Sequence, residues 1–432
     1  MMKKVALISL GCAKNLVDSE NVLGLLVRNG YQIVQDKKLA DILIINTCGF
    51  IEPSKRESID VVLANINKEC KVVVIGCLVN RYHEELKKAI PEVDLWIPIR
   101  DYPRFATLLA TLSERGTKYK GLNDQFRLVS TGSYSAYLKI AEGCSNCCTY
   151  CAIPLIRGPY VSRPYQSIIL EAQELADKGY KEFVILAQDT TRYGQDLKPR
   201  KNIADLIRGL LAIKELKFIR LLYLYPDEIT DDLIDLIAKE ERLTPYFDIP
   251  IQHSEDRILK AMNRRGDKDY LTRLINKIRK RVPNAILRTT IIVGFPGETA
   301  KDFKNLLAFI KEVKFDHLGA FTFSREEGTV AYKLPHQVRK ATKQKRLETL
   351  MALQQKISYE QNQKHLGKIM TGLVIGQESD YYLLRSYYNA PDDIDGKIIF
   401  ASSRPLKEGE IVKVKITESY VYDLYGVRVD ET

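Results

Sequence analysis

Hydrophobic and polar positions along the chain fall into three successive patterns. Near the N-terminus, three apolar, β-branched runs stand out: KVALISL from Lys4, ADILIINT from Ala40 and KVVVIG from Lys71. Unbroken apolar runs of this length mark strands buried on both faces. Between them lie helical patterns such as SENVLGLLVRNG, with Asp18 and Ser19 as N-cap candidates and Gly30 as the stop. This alternation predicts a parallel α/β sheet. Further on, six strand-like runs recur with helical stretches between them: AYLKIAEG from Ala136, EFVILAQD from Glu182, FIRLLYLYP from Phe218, YFDIPIQH from Tyr246, AILRTTIIVGFPGE from Ala285 and HLGAFTFS from His317. Six βα units predict an open, partial TIM-type barrel. After a basic helix from Val338, five short strands (KIMTGLVIG, YYLLRSYY, GKIIFAS, EIVKVKITES, YGVRVD) predict a small all-β barrel. A polar, weakly patterned stretch from Ser113 to Ser135 reads as a linker, so the expected domains are 1–125, 134–362 and 366–432.

Composition changes this picture in two ways. The chain has 432 residues, 45% of them hydrophobic, which suits several cores rather than one. The start, MMKKVALISLGC, has the basic and apolar order of a signal peptide, but its apolar run stops within seven residues, so a buried strand is the better reading. No apolar stretch approaches the roughly 18 residues of a membrane span. A cytosolic protein is therefore expected, in which eight cysteines are metal ligands or catalytic thiols rather than disulfides. The formal charge of +11 is unevenly placed: residues 366–432 carry 8 Lys/Arg against 11 Asp/Glu, a net −3, and residues 1–365 carry +14.

Cysteines gather at strand ends. Cys12 follows Gly11, Cys48 precedes Gly49 and Cys77 follows Gly76, each at the end of one of the first three strands. The carboxyl ends of parallel strands open on one crevice, so three thiols carried there can converge. In the barrel segment, the loop after the first strand holds Cys144, Cys147, Cys148 and Cys151. Four ligands in eight residues, two of them adjacent, are hard to arrange tetrahedrally around zinc. The C-x-x-x-C-x-x-C subset Cys144, Cys148 and Cys151 suits a cubane iron–sulfur cluster with one iron left without a protein thiolate. Cys147 and Cys70 fall outside both sets.

That motif, with Tyr150 before its third cysteine at the mouth of a βα barrel, resembles the radical S-adenosylmethionine superfamily. Together with the C-x35-C-x28-C spacing of Cys12, Cys48 and Cys77 and the small β-barrel, similar to a TRAM domain, the whole chain resembles the methylthiotransferases. The segments ISLGCAKNLVDSE, ADILIINTCGFIEPSKRESI and IPIQHSEDRILKAMNRRG resemble the RimO type, whereas the tRNA-modifying branch usually has Gln-Met-Asn where this chain has Ala13-Lys14-Asn15.

The resemblance implies two 4Fe-4S clusters, on Cys12, Cys48 and Cys77 and on Cys144, Cys148 and Cys151. It implies that S-adenosylmethionine serves both as methyl donor and as source of a 5′-deoxyadenosyl radical. The expected substrate is the β-carbon of an aspartate in small-subunit ribosomal protein twelve, with the sulfur delivered at the Cys12/Cys48/Cys77 cluster and a flavodoxin or ferredoxin as electron donor. A −3 third domain would repel tRNA phosphates and attract a basic protein, though it also reads as a plain solvated face. The rival functions are a tRNA adenosine methylthiotransferase and a nucleic-acid-binding protein with a structural metal.

By the same resemblance Tyr150, Gln188 and Asp189 contact S-adenosylmethionine, and Ile292, Gly294 and Glu298 line its adenine. The last three also fit a plain Pro-Gly turn. His253, beside Gln252 at the fourth strand end, reads as a core histidine or a cofactor contact. Arg264-Arg265-Gly266 reads as a carboxylate grip or a solvated turn, and the basic run Arg339–Arg346 as an exposed helix face.

Overall fold

A computed structural model describes residues 3–66, 70–112, 126–391 and 394–429. The N-terminal unit is a five-stranded parallel sheet in the order Gln32–Ile33, Lys4–Ser9, Ile42–Thr47, Lys71–Gly76, Leu95–Ile97. Its three central strands are the apolar runs of the sequence. The two edge strands, of two and three residues, were not anticipated, being too short to show a period.

The first helix corrects another expectation. It spans Ala13–Arg28 with Cys12 at its N-cap, so Asp18 and Ser19 lie inside it rather than capping it. Both are buried: Asp18 pairs with Lys139 and Arg157 of the next unit, and the Ser19 hydroxyl donates to Ser9 Oγ at 2.8 Å. Gly30, at φ +77°, does close the helix.

The expected linker is also more than a tether. Residues 113–125 lie outside the described residues, but from Phe126 the strand of chain is strapped across this helix. The Leu128 amide donates to Glu20 O at 3.0 Å and the Ser130 amide to Glu20 Oε1 at 2.7 Å. A Cβ on Gly24 would stand 1.8 Å from Phe126 O, so the strap fits only over a glycine.

Six parallel strands form the middle unit in chain order: Ser135–Lys139, Glu182–Leu186, Phe218–Leu221, then Tyr246–Asp248, Ile286–Val293 and His317–Thr322. They pair as two three-stranded sheets joined by a parallel bridge between Ile219 and Leu243, which is the expected partial barrel. Alternate side chains part to its two faces. Ala136, Leu138, Phe183, Ile185, Ile219 and Leu221 pack outward under the helices. Tyr137, Val184, Leu186, Leu222 and Tyr246 point the other way and share a core with Val17 of the first helix and with Met370, Leu384, Phe400 and Val414 of the third unit.

That third unit is a closed five-stranded barrel, ordered Ile369–Glu378, Tyr381–Ser386, Ile398–Ala401, Leu424–Arg428, Ile411–Ser419. It is tied to the middle unit by ion pairs from Arg385 to Glu182 at 2.8 Å and from Arg288 to Asp395 at 3.2 Å. One apolar cluster thus draws on all three units, each fully buried Leu, Val or Phe contributing about 1.5–3 kcal/mol. Among the described residues no helix is long and apolar enough to cross a membrane.

Candidate active site between two cysteine triplets

Glycine geometry brings the first triplet together. Gly11 at φ +92° lets the chain turn after the first strand, and a Cβ there would stand 2.9 Å from Cys48 Cβ and 3.2 Å from its sulfur. Gly76, at φ +101°, sets Cys77 at the start of the helix Cys77–Ala89; a Cβ there would meet Asn46 Oδ1 at 2.3 Å. Cys12 is exposed, Cys48 half-buried and Cys77 buried, and the Cys77 thiol feels the charges of both others.

The second triplet lies in the loop after the first barrel strand. The Cys144 amide donates to Gly158 O at 3.1 Å, and Cys151 Sγ accepts from the Ile153 amide at 3.4 Å. Cys148 Sγ lies 3.7 Å from the Tyr225 hydroxyl and 3.9 Å from Arg264 Nη1. Cys147 is exposed at φ +52°, and Cys70 packs in the sheet's second apolar cluster, so both stand apart from the triplets.

Burial first, then neighbouring thiols, raises the Cys151 thiol to about 12. Burial likewise raises Cys77 to about 12, against the opposing pull of Arg157, and pushes Cys48 and Cys144 upward. Such thiols become thiolates only against a metal centre. Among the described residues no three His, Cys, Asp or Glu side chains close on a single metal ion.

Between the triplets runs a buried polar network that motif reading missed. The five-residue helix Ile153–Arg157 begins just after Cys151 and packs Ile156 against Cys77. Arg157 at its end donates to Cys77 Sγ at 3.3 Å and to Asn15 Oδ1 at 3.2 Å, and pairs with Asp18 at 2.8 Å and Glu142 at 3.1 Å. Lys139 bonds Asp18 and reaches Glu142 at 3.0 Å. Burial works to raise the Glu142 carboxyl, but Lys139 and Arg157 outweigh it and hold it well below the usual range. A signal was present: Lys139 interrupts an apolar strand, and a charge inside a buried strand requires a partner.

The remaining candidates are drawn together only in part. Tyr150 and Ile292 meet in one apolar cluster with Ile258, Met262, Phe295 and Phe323. Gln188 Nε2 donates to Glu142 Oε1 at 3.2 Å, while the buried Oε1 atoms of Gln188 and Gln252 have no partner. Asp189 is buried and accepts from Asn146 Nδ2 at 2.7 Å, bracing the cysteine loop. Glu298 accepts from the Gly294 amide at 2.6 Å and from Arg346 at 2.7 Å, so its carboxylate braces the glycine turn from inside. His253 is fully buried, its Nδ1 accepting from the Glu255 amide at 3.0 Å.

Two expectations are corrected. Arg264 is not in a solvated turn: it lies buried 3.9 Å over the Tyr225 ring, beside Cys148, while Arg265 pairs with the chain's own Asp227 at 2.6 Å. The run Arg339–Arg346 is not wholly an exposed face, since Arg346 turns inward to Glu298 and Lys343 donates to Phe323 O at 2.8 Å. In both cases a buried acceptor recruits a cation that local pattern assigns to water.

Comparison with known proteins gives the same three-part division. Residues 4–98 match the model described as Uncharacterized protein family UPF0004, residues 138–310 the Radical SAM superfamily and residues 366–429 the TRAM domain. Among solved structures, the radical S-adenosylmethionine methyltransferase TsrM from Kitasatospora setae superposes with a TM-score of 0.55 over 74% of this chain and 72% of its own, at 13% identity, which speaks for the fold alone. The barrel, its C-x-x-x-C-x-x-C loop and the cysteine-bearing sheet define a radical S-adenosylmethionine methylthiotransferase. S-adenosylmethionine and iron–sulfur chemistry follow from those segments.

Within that class, proteins named ribosomal protein uS12 methylthiotransferase RimO align along essentially the whole chain. The one from Acetivibrio thermocellus is 46% identical over 100% of both chains, and the one from Clostridioides difficile 47% over 98% of both. That from Aquifex aeolicus is 46% identical over 98% of this chain and 96% of its own. The chain belongs to the RimO family.

Proposed function

We propose that this protein attaches a methylthio group to the β-carbon of an aspartate in ribosomal protein uS12. In this reading Cys12, Cys48 and Cys77 hold one 4Fe-4S cluster and Cys144, Cys148 and Cys151 another, in domains spanning 1–125, 134–362 and 366–432. The observation that carries it is the abutment of the two triplets through Ile153–Arg157, which lets two open-cornered groups serve one gap.

When bound, the clusters would supply the electron that cleaves S-adenosylmethionine and the sulfur that is methylated and inserted. The chain's own residues suit such groups. Arg157 beside Cys77 and Arg264 beside Cys148 offset thiolate charge in a site that burial keeps poor in water. The unpartnered oxygens of Gln188 and Gln252, with the anionic Glu142 between Lys139 and Arg157, provide acceptors for an ammonium and hydroxyls such as those of S-adenosylmethionine. Tyr150 and Ile292 offer an apolar wall, and the braced turn at Gly294 a backbone edge for the adenine.

The −3 third domain favours a basic protein over RNA as substrate. A flavodoxin or ferredoxin would donate the electron, in the cytoplasm.

The test is the iron and sulfide content of anaerobically reconstituted protein against a variant carrying Cys12→Ala, Cys48→Ala and Cys77→Ala. The variant should lose half of both, still release 5′-deoxyadenosine, and no longer modify a uS12 peptide. Full metal retention, or wild-type modification of an RNA stem-loop in place of the peptide, would overturn the reading.

A further inference from the structure

Lys14 is a largely buried lysine whose ammonium, among the described residues, has no anion beside it. It is the second residue of the helix Ala13–Arg28, two positions from Cys12, and only 7% exposed. Among the described residues it has neither an ion pair nor a side-chain hydrogen bond; its one recorded partner is the Tyr223 ring, whose centroid lies 3.3 Å from Nζ. The neighbouring carboxylates are already engaged: Asp18 and Glu142 with Lys139 and Arg157, and Asp248 with Arg288 at 2.9 Å. An ammonium held mainly against a ring face still has room for an opposite charge, which the ring replaces only in part.

The ring is held for this contact. Tyr223 follows the third barrel strand at φ +61°, an unfavourable conformation for a residue with a Cβ. It is pinned there by its amide donating to Asp248 Oδ2 at 2.9 Å and its carbonyl accepting from the Thr190 amide at 3.0 Å. Lys14 therefore reaches from beside Cys12, on the N-terminal unit, to the carboxyl end of the third barrel strand.

We infer that Lys14 binds the side-chain carboxylate of the target aspartate. The inference rests on the uS12 reading. The β-carbon to be modified is bonded directly to that carboxylate, so a fixed ion pair sets where the β-hydrogens lie in the gap. Asparagine, of the same shape but neutral, would leave the ammonium unpaired. The other anions at hand are the carboxylate of S-adenosylmethionine and the thiolate of Cys12, which the test separates.

Reconstituted wild-type, K14Q and K14R enzymes are each titrated with S-adenosylmethionine, then with a uS12 peptide carrying the aspartate and with the same peptide carrying asparagine. Wild type should favour the aspartate peptide by about tenfold or more. K14Q should bring that ratio near one with iron, sulfide and S-adenosylmethionine affinity unchanged, and K14R should keep most of the preference. The melting temperature of K14Q should not fall, because the substitution breaks no ion pair. An intact ratio in K14Q overturns the inference, as does weakened S-adenosylmethionine binding with the ratio intact, or loss of iron and sulfide. If wild type ignores both peptides, the uS12 reading itself fails and takes the role of Lys14 with it.

Discussion

Replacing Glu326 by glutamine probes the latch between the cysteine-bearing sheet and the barrel. The Glu326 carboxylate, 2% exposed, accepts from the Glu52 amide at 2.9 Å, Lys55 Nζ at 3.0 Å, Arg81 Nη1 at 2.9 Å and Ser324 Oγ at 2.6 Å. Glu52 opens the helix that follows Cys48, and Arg81 also donates to Gly49 O at 3.0 Å, next to that cysteine. Burial alone would raise this carboxyl, but Ser324, Lys55 and Arg81 together hold it below the usual range. The substitution keeps the volume and one acceptor while cancelling the charge, and it leaves Arg81, only 5% exposed, without its anion, while Lys55 keeps Glu52 at 3.1 Å. Charge-assisted bonds contribute about 1.5–3 kcal/mol each, and an orphaned buried charge costs about 3–5 kcal/mol, so the interface should weaken by about 3 kcal/mol. A displacement of about 1 Å between reacting groups costs about 10²-fold in rate. Measured in one reaction, E326Q should release 5′-deoxyadenosine near the wild-type rate with full iron and sulfide, while methylthiolated peptide falls by about 10²-fold. Both products falling in step, or neither falling, would refute the latch.

Two further predictions follow from single residues. Gly143 sits at φ +73° with a Cβ position 2.0 Å from Pro159 O, so Gly143→Ala should displace the Cys144 loop; half the iron and all 5′-deoxyadenosine formation should be lost, and full iron content would contradict this. His365 is buried with an unpartnered Nδ1, and burial first, then Lys368, His317 and Lys364, lowers its pKa from 6.5 to about 4. The unfolded chain takes up this proton below about 6.5 and the folded chain only near 4, so the stabilisation is complete above that window and is lost on acidification through it, up to about 3 kcal/mol. Melting temperatures at pH 7 and pH 5 should therefore fall less in His365→Gln than in wild type; an equal fall would count against it.

The run of apolar residues in ADILIINT or EFVILAQD is enough to make a buried strand, because each position is covered whatever the neighbours turn out to be. The same local logic places the cysteines, since Gly11 and Gly76 supply the left-handed turns that end two strands beside Cys12 and Cys77. The three apolar strands of the first sheet, the six strands of the partial barrel and the small all-β barrel were legible in this way.

Tertiary structure alone decided the pairing of charges. Asp18 and Ser19 have the local character of helix caps, yet Asp18 is consumed by Lys139, 121 residues away. Arg346 belongs by pattern to a solvated face and instead braces Glu298, 48 residues distant. Edge strands as short as Gln32–Ile33 exist only because Lys4–Ser9 offers its free edge. Cap and helix preferences are worth about 1 kcal/mol or less, whereas an unpaired buried charge costs several. Where segments far apart in sequence meet, desolvation overrides local preference, which is why the network around Arg157 and the unpaired ammonium of Lys14 became visible only in the folded chain.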